Sequence, residues 1–260
     1  MILRRVIAHV RNQEWTAIGI DFLIVVVGVF VGIQVSNWNA ARAENRKAEI
    51  FSERLKADLS REAWGYDYLV AYLRETNSNQ RRVLDAMARE AVLSDEQFVI
   101  GAYRATQYKY NERFRATYDE LVSTGSIGLI ADQELRATAG TIFTTPLFDI
   151  ISQEASQSEF RRVFRETVSA EIQEALLERC GDRYVPTLDY AAIAGSIDYP
   201  CTLGVSAAKI KAAAIALKAL PRFVPALQLR FADNQTALFD LQVNNKAVVR
   251  VLQAIRNGKK

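Results

Sequence analysis

The chain has 260 residues and a formal charge of only +3, from 33 basic and 30 acidic side chains, which argues against a strongly electropositive nucleic-acid binder. Half the residues are hydrophobic and 24% are charged, so a disordered polyelectrolyte is equally excluded. With five prolines and 12 glycines against abundant Ala, Leu, Glu, Arg and Gln, the composition favours helices over sheets.

The first pattern along the chain is WTAIGIDFLIVVVGVFVGIQVSNW, Trp15 to Trp38. From Phe22 to Ala41 it runs 20 residues without a charge, about what a helix needs to cross a hydrocarbon layer of about 30 Å. A tryptophan near each end suits the headgroup level. We expect an uncleaved membrane anchor over residues 15–38, preceded by a short tail over 1–14. A long buried helix of a soluble protein is one alternative. Another is a signal peptide cut near Ala41-Arg42-Ala43, although the polar exit from Gln34 to Asn39 counts against it.

Gly28 and Gly32 share one face of that helix, and Ser36 extends it by a turn. Small residues four apart let two spanning helices approach closely, so this face is the expected packing surface. Asp21 lies seven residues before Gly28, on nearly the same side. It would either pair across that contact or reach headgroup water. The expected partners are therefore membrane lipid and a second copy, or another membrane protein.

Orientation is contested by two signals. Arg4, Arg5 and Arg11 precede the anchor, while Arg42, Arg46, Lys47, Arg54 and Lys56 follow it, a count that favours a cytoplasmic C-terminal side. A short basic head is nevertheless the form of an uncleaved signal-anchor. Cysteine usage points the same way. Cys180 and Cys201 are the only two, and a bridge between them would persist in an oxidising compartment such as a bacterial periplasm. Closing that loop would contribute about 3 kcal/mol. Two unrelated reduced thiols are the alternative. We expect the N-terminus in the cytoplasm, the anchor in a bacterial inner membrane and the domain in the periplasm.

Residues 39–60 alternate in sign and read as a solvated helical stalk, with a helical domain over 61–260. Phe51, Leu55, Leu59, Tyr66, Leu69 and Leu73 recur at helical spacing. Asn77-Ser78-Asn79 is a candidate break. Ser94 to Gln97 forms a capping box opening a helix to about Tyr108. The next helix is expected from about Asn111 to Thr124, stopped by Gly125, and Asp132 caps the one after it, with Pro146 at its end or at a restart. One long amphipathic helix is expected from Ile150 to Cys180, and a loop between the cysteines. Ser206 then opens an alanine-rich helix, and a final helix runs from Pro225 to Asn257. The expected fold is all-α: a transmembrane helix continuing into a stalk and an antiparallel helical bundle.

Catalytic constellations are scarce. The one histidine, His9, precedes the anchor, so neither a Ser-His-Asp set nor a four-ligand zinc site can form in the domain. Ser123 to Gly128 lacks the lysine of a phosphate loop and reads as a helix turn. Tyr103 to Tyr118 interleaves aromatic and basic residues, and Tyr108, Arg113 and Arg115 could together face an anionic or aromatic ligand. A core stripe with solvated charge opposite it is the plainer reading. The lysines of Ser206 to Leu220 invite the same choice, between a lipid surface and packing on the bundle.

Two segments resemble an uncharacterised family of bacterial single-pass membrane proteins. The anchor pattern is an acidic residue, six apolar positions, Gly, an apolar run ending in Gln, then Asn-Asn-Trp-Asn; Asp21, Gly28, Gln34, Asn37, Trp38 and Asn39 match it, with Ser36 in place of the first Asn. A second block, Ala116 to Phe143, is similar through Tyr118, Leu121, Gly125, Ile130, Leu135 and Arg136. The resemblance implies an anchored protein of unknown function and no catalytic residues. The function expected is a non-enzymatic, cofactor-free scaffold or interaction module that self-associates through its anchor. The alternative is an extracytoplasmic ligand-binding sensory component acting with a separate signalling partner.

Overall fold

A computed structural model describes Ile7, residues 15–110 and residues 112–257. The protein is 78% helical and has no strands among the described residues. Helix α1, Trp15–Met87, is 73 residues long, about 110 Å at the helical rise. It is at once the apolar rod and the central strut of the body.

The body begins earlier along α1 than the charge pattern suggested. From Asn39 to Ile50 the helix stands largely in solvent, whereas Phe51 is 6% exposed and Leu55 is fully buried. The stalk drawn over residues 39–60 therefore ends at 50. The break expected at Asn77-Ser78-Asn79 is also absent. Asparagine disturbs a helix when its amide competes for the backbone, but the Asn79 amide is engaged at both its atoms and Asn77 at its oxygen, its Nδ2 alone lacking a partner among the described residues. Asn79 donates to the Glu75 carbonyl and carboxylate and accepts from Arg82, and Asn77 accepts from Gln235.

Helix α2, Asp95–Ala105, opens on the expected capping box, with Gln97 N–H donating to Ser94 Oγ at 3.1 Å and Ser94 N–H to Gln97 Oε1 at 3.0 Å. Helix α3, Ala116–Ser123, starts later than expected; Asn111 lies outside the described residues. The delay has a long-range cause. Glu62 of α1 accepts the Phe114 N–H at 2.6 Å, and Asp58 accepts the Thr117 N–H at 3.3 Å. Carboxylates from another helix thus satisfy the N–H groups that a helix start leaves open. Gly125, at φ +66°, ends α3, and the Ser126 N–H closes onto the Leu121 carbonyl at 2.8 Å.

Asp132 caps α4, Gln133–Thr144, and Pro146 immediately precedes α5, Leu147–Ser156. The single helix expected from 150 to 180 is three: α5, α6 (Glu159–Thr167) and α7 (Ala170–Cys180). The first break is capped by Ser158, whose hydroxyl accepts the Arg161 N–H at 3.4 Å. At the second, Val168 turns into the core while its carbonyl accepts from the Gln173 side chain at 2.7 Å. A short α8, Ala192–Ile197, lies in the loop between the cysteines. Helices α9 (Ala207–Ala219) and α10 (Phe223–Phe239) follow.

The last expected helix is also interrupted. A π-helical turn over Asp240–Asn244 separates α10 from α11, Lys246–Arg256. The Asn244 and Asn245 side chains both donate to Asp240 there, and the Leu241 carbonyl accepts from the Tyr66 hydroxyl. Widening the turn frees backbone acceptors for such contacts.

Two large hydrophobic cores share α1, beside a smaller cluster around Trp64, Tyr68 and Tyr72. The one nearer the rod packs Leu55, Leu59 and Leu69 against Leu121, Phe143, Phe148 and Leu252. The distal one packs Val83 against Phe98, Phe164, Leu176, Leu217 and Leu227. Helix α10 joins them and runs antiparallel to α1, since Gln235, Asn234 and Leu241 bond Asn77, Leu73 and Tyr66 in turn. Between the cores lies a buried polar belt: Thr76, Asn79 and Gln80 from α1, Arg230 and Asn234 from α10.

This boundary is testable by paired truncations. Leu55→Ala is expected to cost about 2–5 kcal/mol, the range for a filled core position. Ile50→Ala, one turn earlier and 54% exposed, is expected to change stability by less than about 0.5 kcal/mol. Guanidinium unfolding of the full chain in micelles, followed by circular dichroism, checks both; equal effects would restore the longer stalk.

Candidate functional site

Three places follow from the residues singled out by sequence: the apolar rod, the aromatic-basic stretch and the cysteine loop. The rod is long and apolar enough to cross a membrane, and none of its most apolar window is buried. Phe22 is 70% and Phe30 60% exposed. Gly28, Gly32 and Ser36 lie exposed and Asp21 is half-buried. Nothing stands within 4 Å of where a Cβ would sit on Gly28 or Gly32. At the rod's exit the Arg42 guanidinium lies 4.5 Å from the centre of the Trp38 ring, a pairing suited to the level where indole and cation both meet water.

Tyr108, Arg113 and Arg115 do not converge. Arg115 turns outward and holds Asp119 at 2.8 Å. Tyr108 stacks beneath the Arg161 guanidinium, 5.0 Å away. Arg113 is a buried fastener: it pairs with Glu62 at 3.1 Å and Asp149 at 3.1 Å, and donates to the Ile142 and Thr145 carbonyls. Those carbonyls belong to the end of α4 and the turn after it, where helices leave acceptors unpaired. One guanidinium therefore joins α1, α4 and α5. Burial still pushes the Glu62 carboxyl above its ordinary range, against the pull of Arg113. The expected ligand face is corrected: its three members serve three separate contacts.

The cysteine loop is built more densely than its sequence suggests. Cys180, the last residue of α7, and Cys201 are bonded, with Cα atoms 5.5 Å apart. The loop between them lies over Trp64, Tyr68 and Tyr72, one turn apart on α1, through Val185 and Ile193. Arg104 of α2 donates to the Tyr199 carbonyl at 2.6 Å and approaches Cys201 Sγ at 3.6 Å. The Tyr72 hydroxyl donates to Asp182 Oδ2 at 2.7 Å. Burial raises the Asp182 carboxyl, with Tyr72, Lys109 and Arg104 opposing, and the same burial lowers the Lys109 ammonium. Asp182 and Glu62 carried no sequence signal, because each partner lies 51 or more residues away; Arg104 belongs to the aromatic-basic stretch, but its contact with Tyr199, 95 residues on, was not legible there.

The alanine-rich helix α9 also resolves towards packing. Ile210, Ala213, Ala214 and Leu217 are buried in the distal core. Lys209 and Lys218 reach Glu171 and Asp95 instead of a free surface. Among the described residues no group of three His, Cys, Asp or Glu side chains could hold a metal ion.

The Asp182 environment has a signed consequence for stability. A carboxyl raised above 3.8 binds its proton more tightly when folded, so its contribution is present at low pH and lost as pH rises through the folded value. Asp182→Asn keeps an acceptor for Tyr72 without the charge. The variant is expected to be the more stable protein at pH 7.5, with the gap closing as pH falls towards 4. Denaturation followed by the fluorescence of the three tryptophans, one of them Trp64 beneath the loop, checks this. A wild type that leads at neutral pH and loses its lead in acid would reverse the sign.

Neither a curated protein nor a solved structure matches the chain. Residues 21–160 match the model of a family of unknown function, DUF6090, whose span takes in the rod, α2 to α5 and the start of α6. That match covers more than half the chain, and the protein belongs to this family.

Proposed function

We propose that the protein is a membrane-tethered helical interaction module that self-associates through its anchor and carries no catalytic activity of its own. The observation that carries this reading is the unbroken helix α1, exposed through Ile50 and then buried at the centre of both cores. A body built around the continuation of its own anchor is held at a set distance from the bilayer. The twelve residues from Asn39 to Ile50, all exposed but Ala48, give a stand-off of about 18 Å. Support for a non-enzymatic role comes from the buried ionisable groups: Glu62 with Arg113 and Asp182 with Tyr72 both fasten one element to another.

The exposed face of Gly28, Gly32 and Ser36 is the contact proposed between two copies. A larger side chain there meets nothing within the chain, so its effect should fall on assembly alone. Gly28→Ile with Gly32→Ile is expected to reduce crosslinked dimer in membranes several-fold while leaving thermal unfolding of the body unchanged. Undiminished crosslinking would remove this face from the proposal.

The proposed placement is a bacterial inner membrane with the N-terminus in the cytoplasm and the body in the periplasm. The bond between Cys180 and Cys201 supports it, because such bonds persist in oxidising compartments. In intact cells a thiol reagent is expected to label neither cysteine until a reductant is added. Labelling without reductant would place the body in the cytoplasm.

A further inference from the structure

The distal half of the body contains a cavity of about 230 Å³ between the end of α2, α6 and α7. Helix α6 supplies Arg161 and Arg165, one turn apart and so on one face. The other charged residues of that helix show by contrast what is unusual about these two. Arg162 lies 3.9 Å from Glu159, and Glu166 is paired with Arg222. The two α6 arginines without a carboxylate within 4.0 Å, among the described residues, are the two that line the cavity. Among the described residues the Arg161 guanidinium donates only to the Thr106 carbonyl, at 3.4 Å, and lies over the Tyr108 ring.

A third guanidinium stands behind them. Arg230 of α10 is 4% exposed and donates to the carbonyl of Gln107, itself a lining residue. Its Nε has no hydrogen-bond partner, and no carboxylate lies within 4.0 Å of it among the described residues. Burial lowers Arg230 to about 10, with the nearby Asp233 charge opposing and the Arg161 charge adding to the effect. A buried cation with no carboxylate in direct contact is costly. Against these three positive groups the lining offers one acid, the exposed Glu174. Of the remaining wall, Thr106, Gln107 and Gln173 are polar, and the apolar part is Phe164, the Tyr103 ring 6.2 Å from it, and Leu177, which is 71% exposed.

We propose that this cavity binds a small organic carboxylate, its oxygens held by the Arg161 and Arg165 guanidiniums and its apolar part lying against Phe164 and Leu177. Guanidinium pairs carboxylate oxygens through parallel N–H bonds, stronger than bonds between neutral groups. The apolar wall favours an organic anion over an inorganic one. The volume, below the 300 Å³ or so at which drug-sized sites begin, limits the ligand to a small molecule. Arg230 would act from behind, its positive field favouring an anion in the cavity and disfavouring a neutral isostere. This site is independent of the anchor's self-association, and either proposal can fail without the other.

The test uses the full chain in micelles, with calorimetry and thermal unfolding as readouts and acetate, benzoate, phenylacetate, inorganic phosphate and benzyl alcohol as probes. At least one of the three carboxylates is expected to bind saturably and raise the melting temperature. Benzyl alcohol should not bind, and phosphate should bind more weakly. Arg165→Ala is expected to weaken carboxylate binding at least tenfold. Its unliganded melting temperature should match the wild type, because Arg165 makes no ion pair or hydrogen bond through its side chain among the described residues. Arg161→Lys, which keeps the charge but not the planar fork, should weaken binding without unfolding the cavity. The proposal is overturned if none of the three carboxylates binds saturably, if phosphate binds more tightly than all of them, or if Arg165→Ala binds as the wild type does.

Discussion

Everything in this molecule hangs on the continuity of one helix. A spanning segment must satisfy its backbone hydrogen bonds internally, because lipid supplies no partners. Here the same i to i−4 ladder continues through solvent and into the body up to Met87. The side chains around it take three characters along the way: apolar and exposed, then charged and exposed, then apolar and buried. The backbone does not change at all. What varies is only which surroundings the helix presents its surface to, and that variation sorts the chain into rod, spacer and body.

The body built on this strut is divided by polarity. Gln80, Asn79, Asn234 and Arg230 form a hydrophilic layer between two hydrophobic cores. Its hydrogen bonds run to backbone carbonyls at specific places, Asn234 to Leu73 at 2.8 Å and Gln80 to Ala105 at 3.3 Å. Polar groups buried in this way stabilise only the register in which their partners meet them. Apolar side chains alone would tolerate a slide of α10 along α1. The belt allows one alignment.

Local devices were legible from sequence because they are closed over a few residues. The Ser94–Gln97 box, the Asp132 cap and the Gly125 stop each need only their own neighbours. The buried stripe of α1 was legible for the same reason, since its spacing repeats along one helix. Where reading failed, a distant partner decided. The start of α3 depends on Asp58 and Glu62, contributed from the middle of α1. Amphipathic spacing persists across Val168 and Ser169, so periodicity alone could not show that α6 and α7 are separate. Arg113 looked like a ligand contact because its aromatic neighbours in sequence are visible and its carboxylate partner is not. The exposed rod contributes no such ambiguity, since among the described residues it has no partner to be misjudged.

The rigid rod also fixes an azimuth. Helical residues advance about 100° each, so the 23 positions between Gly32 and Leu55 carry the direction of the side chains about 140° around the axis. The first buried residues of the body, Phe51, Leu55 and Leu59, therefore point well away from the glycine side of the apolar rod. Two rods in contact through those glycines would carry their globular parts outward on opposite flanks, leaving the space above the contact open. Adding one residue to the spacer would swing each of those parts around by roughly a quarter turn.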